Sequence, residues 1–349
     1  MITLTKTTYY TRKGIKLGVI FLISFLILRT SWRIGRNLWL KSHPPAPPPP
    51  TVSFGKLPKI IFPELPDKPK LSYKLETIEG SLPQLTEIVK VFFMPQGEPN
   101  LLASDEAIQT AQRMGFKDQP EVVQPTFYRW KTTAIIPTTL EMDIYNGTFR
   151  FFSEYQNDEE IKTAKNLPSQ EEAAQESKSF LERNGFLPSD LANGTVGFEY
   201  FRLENGLIPV TKLPEAQLIR VNFFRADLEE LKILPPYPKN SLVSFLFSGS
   251  RTTGKRILEI NYSYYPIEKE IFSTYPLKPI TQAWNELQAG DGHLVNYPAG
   301  QNLITVRKAY LAYYDSSAEK QHFLQPIYVF EGDGNFIAYV AALDPQWTE

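Results

Sequence analysis

The sequence predicts an α+β protein, in which an N-terminal transmembrane helix precedes two or three units, each made of one helix and an antiparallel sheet. Three observations predict this class. One sustained apolar segment, IKLGVIFLISFLILRTSW, occupies residues 15–32. Aromatic residues make up 13% of the chain and recur in alternating segments, which is typical of strands. Three short segments carry helix start and stop signals between these strands.

The apolar segment is predicted to be a membrane anchor. Its uncharged part, 17–28, has only 12 residues, whereas a bilayer-spanning helix needs roughly 20. Lys16 and Arg29 extend the span, because their charged ends reach the headgroups while their alkyl parts stay in the apolar layer. The residues predicted to contact lipid are Leu17, Ile20, Phe21, Leu22, Phe25, Leu26, Leu28 and Trp32.

A cleaved signal peptide and a buried core helix are the alternatives to an anchor. The segment RTSWRIG, 29–35, lacks the small residues of a cleavage site, which favours an uncleaved anchor. Basic residues flank the segment almost equally on both sides, so the positive-inside rule decides little. We predict the N-terminus inside, because a first anchor commonly sends a long following domain across the membrane. The predicted location is the cell membrane, single-pass, with the C-terminal region extracytoplasmic.

The chain is predicted to have six segments. Folding is expected to begin near Leu71, because the tract PPAPPPP at 44–50 and later prolines favour an extended spacer. The segments are a short cytoplasmic tail at 1–14, the anchor and juxtamembrane segment at 15–40, a proline-rich stalk at 41–70, and α+β units at 71–160, 161–275 and 276–349.

Composition excludes several kinds of site. The chain has no cysteine, which excludes disulfides, thiolate metal sites and cysteine nucleophiles. The net charge is −1, and because the anchor region is basic, the remainder is mildly acidic. A nucleic-acid partner is therefore not expected.

Two of the helical segments indicate an internal repeat. DEAIQTAQRMGF at 105–116 and EEAAQESKSFLERNGF at 171–186 share an acidic start, an alanine and a Gly-Phe stop, about 66 residues apart. Each precedes aromatic-rich strands, and a third copy is expected at 279–343. Chance similarity between short capped helices is the alternative, since capping boxes are common.

The C-terminal third carries a recognisable pattern. A helix with Ala283-Trp284 is followed by strands containing Ala312-Tyr313-Tyr314 and Gln325-Pro326-Ile327-Tyr328. This pattern resembles the last unit of the YycI/YycH type of extracytoplasmic regulators and, more loosely, PepSY-like modules. The resemblance implies a binding or regulatory module without active-site residues, with a membrane sensor kinase among its candidate partners. The fold-motif residues are Ala283, Trp284, Tyr313, Tyr314, Pro326 and Tyr328.

One segment matches most of a phosphate-binding loop. Residues 249–255, GSRTTGK, fit its first seven positions, but Arg256 stands where a serine or threonine is needed for Mg²⁺. A strand-like segment follows instead of a helix. We therefore predict a polar hairpin.

No catalytic, metal or cofactor site is predicted. His43, His293 and His322 do not share a metal-binding spacing, and His293 is expected in a solvent-facing loop. The carboxylates at 158–160 are expected to be solvated. The sequence GDGN at 332–335 lacks the further oxygen ligands of a calcium loop, which favours a turn.

The predicted function is binding rather than catalysis. Exposed sheet faces and edges rich in Tyr, Phe and Arg are expected to take up an extended peptide or a partner domain by strand addition. The predicted partners are the lipid bilayer and a protein or peptide. An envelope scaffold or secretion-apparatus subunit, and an envelope hydrolase with an unrecognised carboxylate pair, are the alternatives.

Overall fold

The computed structural model describes residues 4–42, 48–97, 101–237, 241–316 and 321–349. His43 and most of the polyproline tract lie outside the described residues. The chain divides into two compact units, Met1–Pro49 and Pro50–Glu349. The first unit contains the helix α1, Leu4–Ser42, and the second contains all described strands.

Helix α1 contains the predicted anchor segment. Within it, Lys13–Asn37 has a mean hydropathy of 1.8 and is, by length and composition, long and apolar enough to cross a membrane. All the side chains predicted to contact lipid are exposed there. The helix begins at Leu4, so that most of the predicted tail at 1–14 is helical and continuous with the anchor. This helix fits a single-pass membrane anchor.

Five further α-helices lie in the described part of the second unit. The three helices predicted from start and stop signals are present, but only one of them begins with a side-chain cap. In that helix Ser169 and Glu172 form the expected capping box, and Gly185 ends it with a φ of +80°. Two very short helices were not predicted. The helices are α2 (Ala103–Arg113), α3 (Glu159–Thr163), α4 (Gln170–Asn184), α5 (Ser189–Ala192) and α6 (Ile280–Ala289).

The long strands follow the alternating segments closely. Four strands that are short or irregular were not predicted, namely those numbered β3, β10, β13 and β14 below. The strands are β1 (Ser72–Leu75), β2 (Ile88–Phe93), β3 (Glu121–Gln124), β4 (Phe127–Thr132), β5 (Thr138–Asp143), β6 (Thr148–Ser153), β7 (Val196–Leu203), β8 (Leu207–Val210), β9 (Leu218–Phe223), β10 (Ile233–Leu234), β11 (Val243–Ser248), β12 (Ile257–Tyr262), β13 (Glu268–Pro276), β14 (His293–Asn296), β15 (Leu303–Tyr314), β16 (Phe323–Gly332) and β17 (Phe336–Ala341).

Nine strands form one antiparallel sheet. Their order is β3-β4-β5-β6-β12-β11-β9-β7-β8. Ala107 and Ala111 of α2, together with Ala173 and Leu181 of α4, pack in one apolar cluster with the sheet. Small residues on these helices allow a close approach to the aromatic side chains of the strands.

The two helix-plus-strand segments of the predicted repeat meet in this sheet. Strands β3 to β6 follow α2, and strands β7, β8, β9, β11 and β12 follow α4. The pairing of β6 with β12, for example Phe151 with Ile260, joins the two sets. The predicted boundary near residue 160 therefore does not separate two sheets. The last strand of each set, β6 and β12, satisfies its outward backbone hydrogen bonds by pairing with the last strand of the other set.

The remaining strands form an eight-stranded sheet. Its main order is β1-β15-β16-β17-β14, with β2 joining β16 to β13 and with β10 beside β15. Ala283 and Leu287 of α6 pack on one face. Strands β1 and β2 belong to this sheet although they lie in the segment predicted as the first unit, so this sheet also combines distant parts of the sequence.

The segment 50–70, which we call the strap, contains turns at 53–54 and 66–67, so it is neither the continuously extended spacer that the sequence predicts nor a free stalk. Leu57 is fully buried, and its N–H donates to the Trp347 carbonyl at 2.8 Å. The N–H of Val52 donates to the carbonyl of Thr274 in β13 at 3.0 Å. Phe62 packs on the face of the eight-stranded sheet that α6 does not cover. Apolar residues of the strap, such as Leu57 and Phe62, hold it against the sheet.

Burial of Leu57 predicts the cost of its truncation. We expect Leu57→Ala to lower the free energy of unfolding by about 2–5 kcal/mol, because it leaves a cavity in the core. Ile61→Ala serves as the control, since Ile61 is 61% exposed in the same segment, and it should change stability by less than about 0.5 kcal/mol. Chemical denaturation of the full-length protein in detergent measures both, and equal effects would contradict the packed strap.

Candidate functional site

The hairpin at 249–255, which resembles a phosphate-binding loop, binds side chains of its own chain. It connects β11 to β12, as predicted. The Lys255 ammonium lies 2.7 Å from the Asp158 carboxylate and 3.1 Å from that of Glu160. The hydroxyl of Ser250 also donates to Glu160. The lysine that a phosphate loop would direct at its ligand is thus engaged in an internal ion pair.

The sequence led us to expect solvated carboxylates at 158–160. Two of them, Asp158 and Glu160, instead form hydrogen bonds and ion pairs within the protein. Asp158 caps α3 by accepting hydrogen bonds from the N–H groups of Glu160 and Ile161. Hydrogen bonds from Ser250, Thr252 and Lys255 lower the pKa of Glu160 to about 2. Sequence reasoning missed this arrangement, because the partners of these carboxylates lie some 90 positions away in the chain.

His293 is buried, which corrects the expectation of a solvent-facing loop. It begins β14 and is only 6% exposed. The ring of Phe62 stacks on the imidazole, with centroids 5.1 Å apart, and Nε2 lies 3.4 Å from the Pro236 carbonyl oxygen. Burial lowers the pKa of His293. The strap covers this histidine, and nothing in the local sequence indicates that cover.

The turn at 332–335 binds the side chain of Arg307. Both oxygens of the Asp333 carboxylate accept hydrogen bonds from the Arg307 guanidinium, at 2.7–3.1 Å. Throughout the described ranges, no group of three or more His, Asp or Glu side chains is placed to hold a metal ion.

A buried ionic cluster joins the two sheets. Arg225 follows β9, and its guanidinium donates to Asp315 at 2.7 Å and to Asp190 at 2.6 Å. Its carbon lies 4.1 Å from the centre of the Tyr264 ring. Burial raises the pKa of Asp315, against the opposing effect of Arg225. The adjoining cavity of about 20 Å³ has room for about one water molecule, so this cluster is structural rather than a ligand site.

The fold-motif residues of the C-terminal third lie in the core of the eight-stranded sheet. Ala283 is fully buried, and the Trp284 ring packs against Phe330 with centroids 5.6 Å apart. The Tyr328 hydroxyl donates to the Lys278 carbonyl oxygen at 2.7 Å. Tyr313, Tyr314 and Pro326 lie on the paired strands β15 and β16. These side chains pack in the core, and Tyr328 also lines a pocket of about 790 Å³ beside Pro279 and Thr281.

One row of mostly polar residues crosses the nine-stranded sheet on the side away from α2 and α4, beside a separate apolar cluster that includes Leu218, Leu246 and Leu258. Tyr128 and Trp130 pack on the helix side, so Arg129 between them lies on the opposite side, because side chains alternate along a strand. Residues paired in register with Arg129 share that side. They form one row across the sheet, which we call the polar ladder: Glu121, Arg129, Glu141, Arg150, Asn261, Ser244, Asn222 and Gly197.

Charges alternate in sign along the first four positions of the polar ladder. Arg129 donates to Glu141 at 2.9 Å and lies 3.6 Å from Glu121. Opposite charges directly across strands stabilise a sheet by about 0.2–1 kcal/mol per pair. Arg150 is exposed, packs its guanidinium 4.8 Å from the Phe152 ring centre, and forms no ion pair with any described residue.

The polar ladder begins at an open sheet edge. All four residues of β3 are exposed, with Val122 at 59% and Val123 at 40%. The opposite edge strand, β8, contains Pro209, which has no N–H to offer a further strand. In the other sheet, the edge of β13 is covered by the strap at residues 51–53. Of the two edges of the nine-stranded sheet, β3 is therefore the one open to strand addition.

Comparisons with known proteins add little to this geometry. No protein-family model matches the sequence, and no curated protein matches it either. A crystal structure of an uncharacterized protein from Eubacterium rectale aligns with 77% of this chain and 87% of its own, at 12% identity and a TM-score of 0.35. A likeness at this TM-score carries no argument for a shared family or function.

Burial of His293 predicts a pH dependence of stability. Because its pKa is lower in the folded state, the unfolded state binds more protons just below the ordinary histidine pKa of about 6.5. The free energy of unfolding should then fall as the pH drops below that value, by up to about 1.4 kcal/mol per pH unit, until the pKa of the folded state is reached.

Two substitutions test this assignment. We expect His293→Phe to remove this slope while keeping an aromatic ring against Phe62. His322→Phe is the control, since His322 is exposed. Denaturation of the full-length protein at a series of pH values between about 5 and 7 measures the slope, and an unchanged slope in His293→Phe would contradict the assignment.

Proposed function

We propose that this protein is a membrane-anchored extracytoplasmic binding module that engages an extended segment of a protein partner and has no catalytic activity. The observation that carries the proposal is the open β3 edge with its two exposed valines. An added strand gains main-chain hydrogen bonds from such an edge and specificity from its alternating side chains. Exposed apolar edge strands also promote aggregation, and natural sheets commonly protect them.

Charged side chains elsewhere in the second unit support binding over hydrolysis. Four carboxylates that lie near other ionisable groups are engaged with cations: Asp158 and Glu160 with Lys255, and Asp190 and Asp315 with Arg225. A general acid or base needs a proton that it exchanges with a substrate. These pairs hold the fold together instead.

The anchor part of the proposal is supported by α1. Its apolar stretch, Lys13–Asn37, is placed at the N-terminus and is uncovered by the rest of its unit. We propose a single pass with the N-terminus inside, which puts the β3 edge outside the cytosol. The likeness of the C-terminal third to YycI/YycH-type regulators stays a prediction, and so does a sensor kinase as the partner.

A pair of edge variants tests strand addition. Val122→Lys places a charge on the open edge, and we expect it to remove the proteins that co-purify with the cross-linked full-length chain from membranes. Ile208→Lys is the matched control, because Ile208 is a β-branched residue, 37% exposed, on the opposite edge strand. Partners that are kept by both variants, or lost from both, would contradict a site at β3.

A topology reporter tests the location. An enzyme that is active only outside the cytosol, fused after Glu349, should be active in the full-length chain. The same fusion without residues 15–32 should be inactive, because the body then has no segment that directs it across the membrane. Activity of a cytosol-only reporter at the same position would overturn the extracytoplasmic assignment.

A further inference from the structure

The polar ladder stops at the sheet edge on a negative charge. In register from the interior to the edge, its first positions are Arg150, Glu141, Arg129 and Glu121. Each charge therefore faces an opposite charge on the next strand. Glu121, on the edge strand β3, has such a neighbour on one side only.

The Glu121 carboxylate is available to a further strand. Its distance to Arg129 is 3.6 Å, whereas Arg129 donates a hydrogen bond of 2.9 Å to Glu141. The Glu121 side chain is 59% exposed. The inner carboxylate thus holds the arginine more closely, and the outer one keeps acceptor capacity toward the open side.

Val122, the next residue along the edge, places a second requirement on the sequence of an added strand. Val122 is paired with Tyr128, which packs in the cluster between the sheet and helices α2 and α4. Val122 therefore lies on the helix side of the sheet, next to apolar side chains. A strand added at β3 meets an apolar position at Val122 and an acidic position at Glu121, on opposite faces.

We propose that the partner of β3 is an extended segment that carries a lysine or arginine opposite Glu121 and an apolar residue opposite Val122. This inference rests on the proposed function, since it names the chemistry of the strand that the edge accepts. A cation opposite Glu121 continues the alternation of charge by one strand, and an acidic residue there would be destabilising. Antiparallel addition matches the direction of every pair in this sheet.

A second copy of β3 does not meet these conditions. Its four residues are Glu, Val, Val and Gln, so it has no cation to place opposite Glu121. Pairing of two copies centred on this position would bring the two Glu121 carboxylates together. The charge pattern thus favours a different chain as the partner.

Two synthetic peptides test the inference. Both are fluorescein-labelled peptides of alternating valine and threonine, with lysine as the central residue in one and glutamate in the other. Fluorescence anisotropy with the full-length protein in detergent gives their dissociation constants. We expect the lysine peptide to bind about 2- to 5-fold more tightly than the glutamate peptide, as a cross-strand charge pair contributes.

Charge reversal provides the decisive comparison. Glu121→Lys should invert the preference, so that the glutamate peptide binds more tightly, while Ile208→Lys should leave the original preference unchanged. Circular dichroism and the thermal midpoint confirm that each variant is folded. Equal binding of both peptides to the wild type, no binding of the lysine peptide, or the same preference in Glu121→Lys would each overturn the inference.

The outcome also separates this inference from the proposed function. If Val122→Lys removes the membrane partner but the peptides show no charge preference, strand addition stands and the basic partner does not. If Val122→Lys and Ile208→Lys behave alike in membranes and neither peptide binds, the site at β3 fails as well.

Discussion

The antiparallel pairing of β6 with β12 is the contact on which the nine-stranded sheet depends. It joins four strands that follow α2 to five that follow α4. Without it, each set would present an additional open edge, and the row of polar side chains would be interrupted between Arg150 and Asn261. Because backbone groups in a sheet must be paired or hydrated, this one junction decides which strands remain at the ends.

The edges of both sheets differ in how they are protected. Pro209 removes a donor from β8, and the strap supplies hydrogen bonds to β13 at Ser273 and Thr274. Strand β3 has neither device and exposes two valines. Such an edge is a hazard for a free protein and an advantage for one that adds a partner strand. Because β8 and β13 of the same molecule are protected and β3 is not, the open edge at β3 is a specific feature of that strand.

Buried charge holds the second unit together over long sequence distances. Arg225 bridges Asp190 and Asp315, so that the ends of β9 and β15 meet at one guanidinium. Breaking such a group by removing one partner is costly, because an unpaired charge is left inside. Stacking of Phe62 on His293 likewise joins distant parts of the chain, the strap and β14.

The sequence by itself determined the local elements of this protein. Apolar length placed α1, capping residues such as Ser169 and Gly185 placed the helices, and alternation placed the long strands, since these signals act over a few residues. It also predicted that exposed sheet edges were candidates for binding. The short edge strand β3 was missed, because four residues carry too little periodicity to be recognised.

Only the tertiary structure decided which of these elements meet. Strap burial at Leu57, the partners of Lys255 and the cover over His293 all join residues far apart in the chain. The register that sets Glu121, Arg129, Glu141 and Arg150 in one row follows from pairings between strands, and no local pattern specifies it. The physical reason is that a strand satisfies its hydrogen bonds with any strand of suitable shape, and packing of the whole core selects the neighbour.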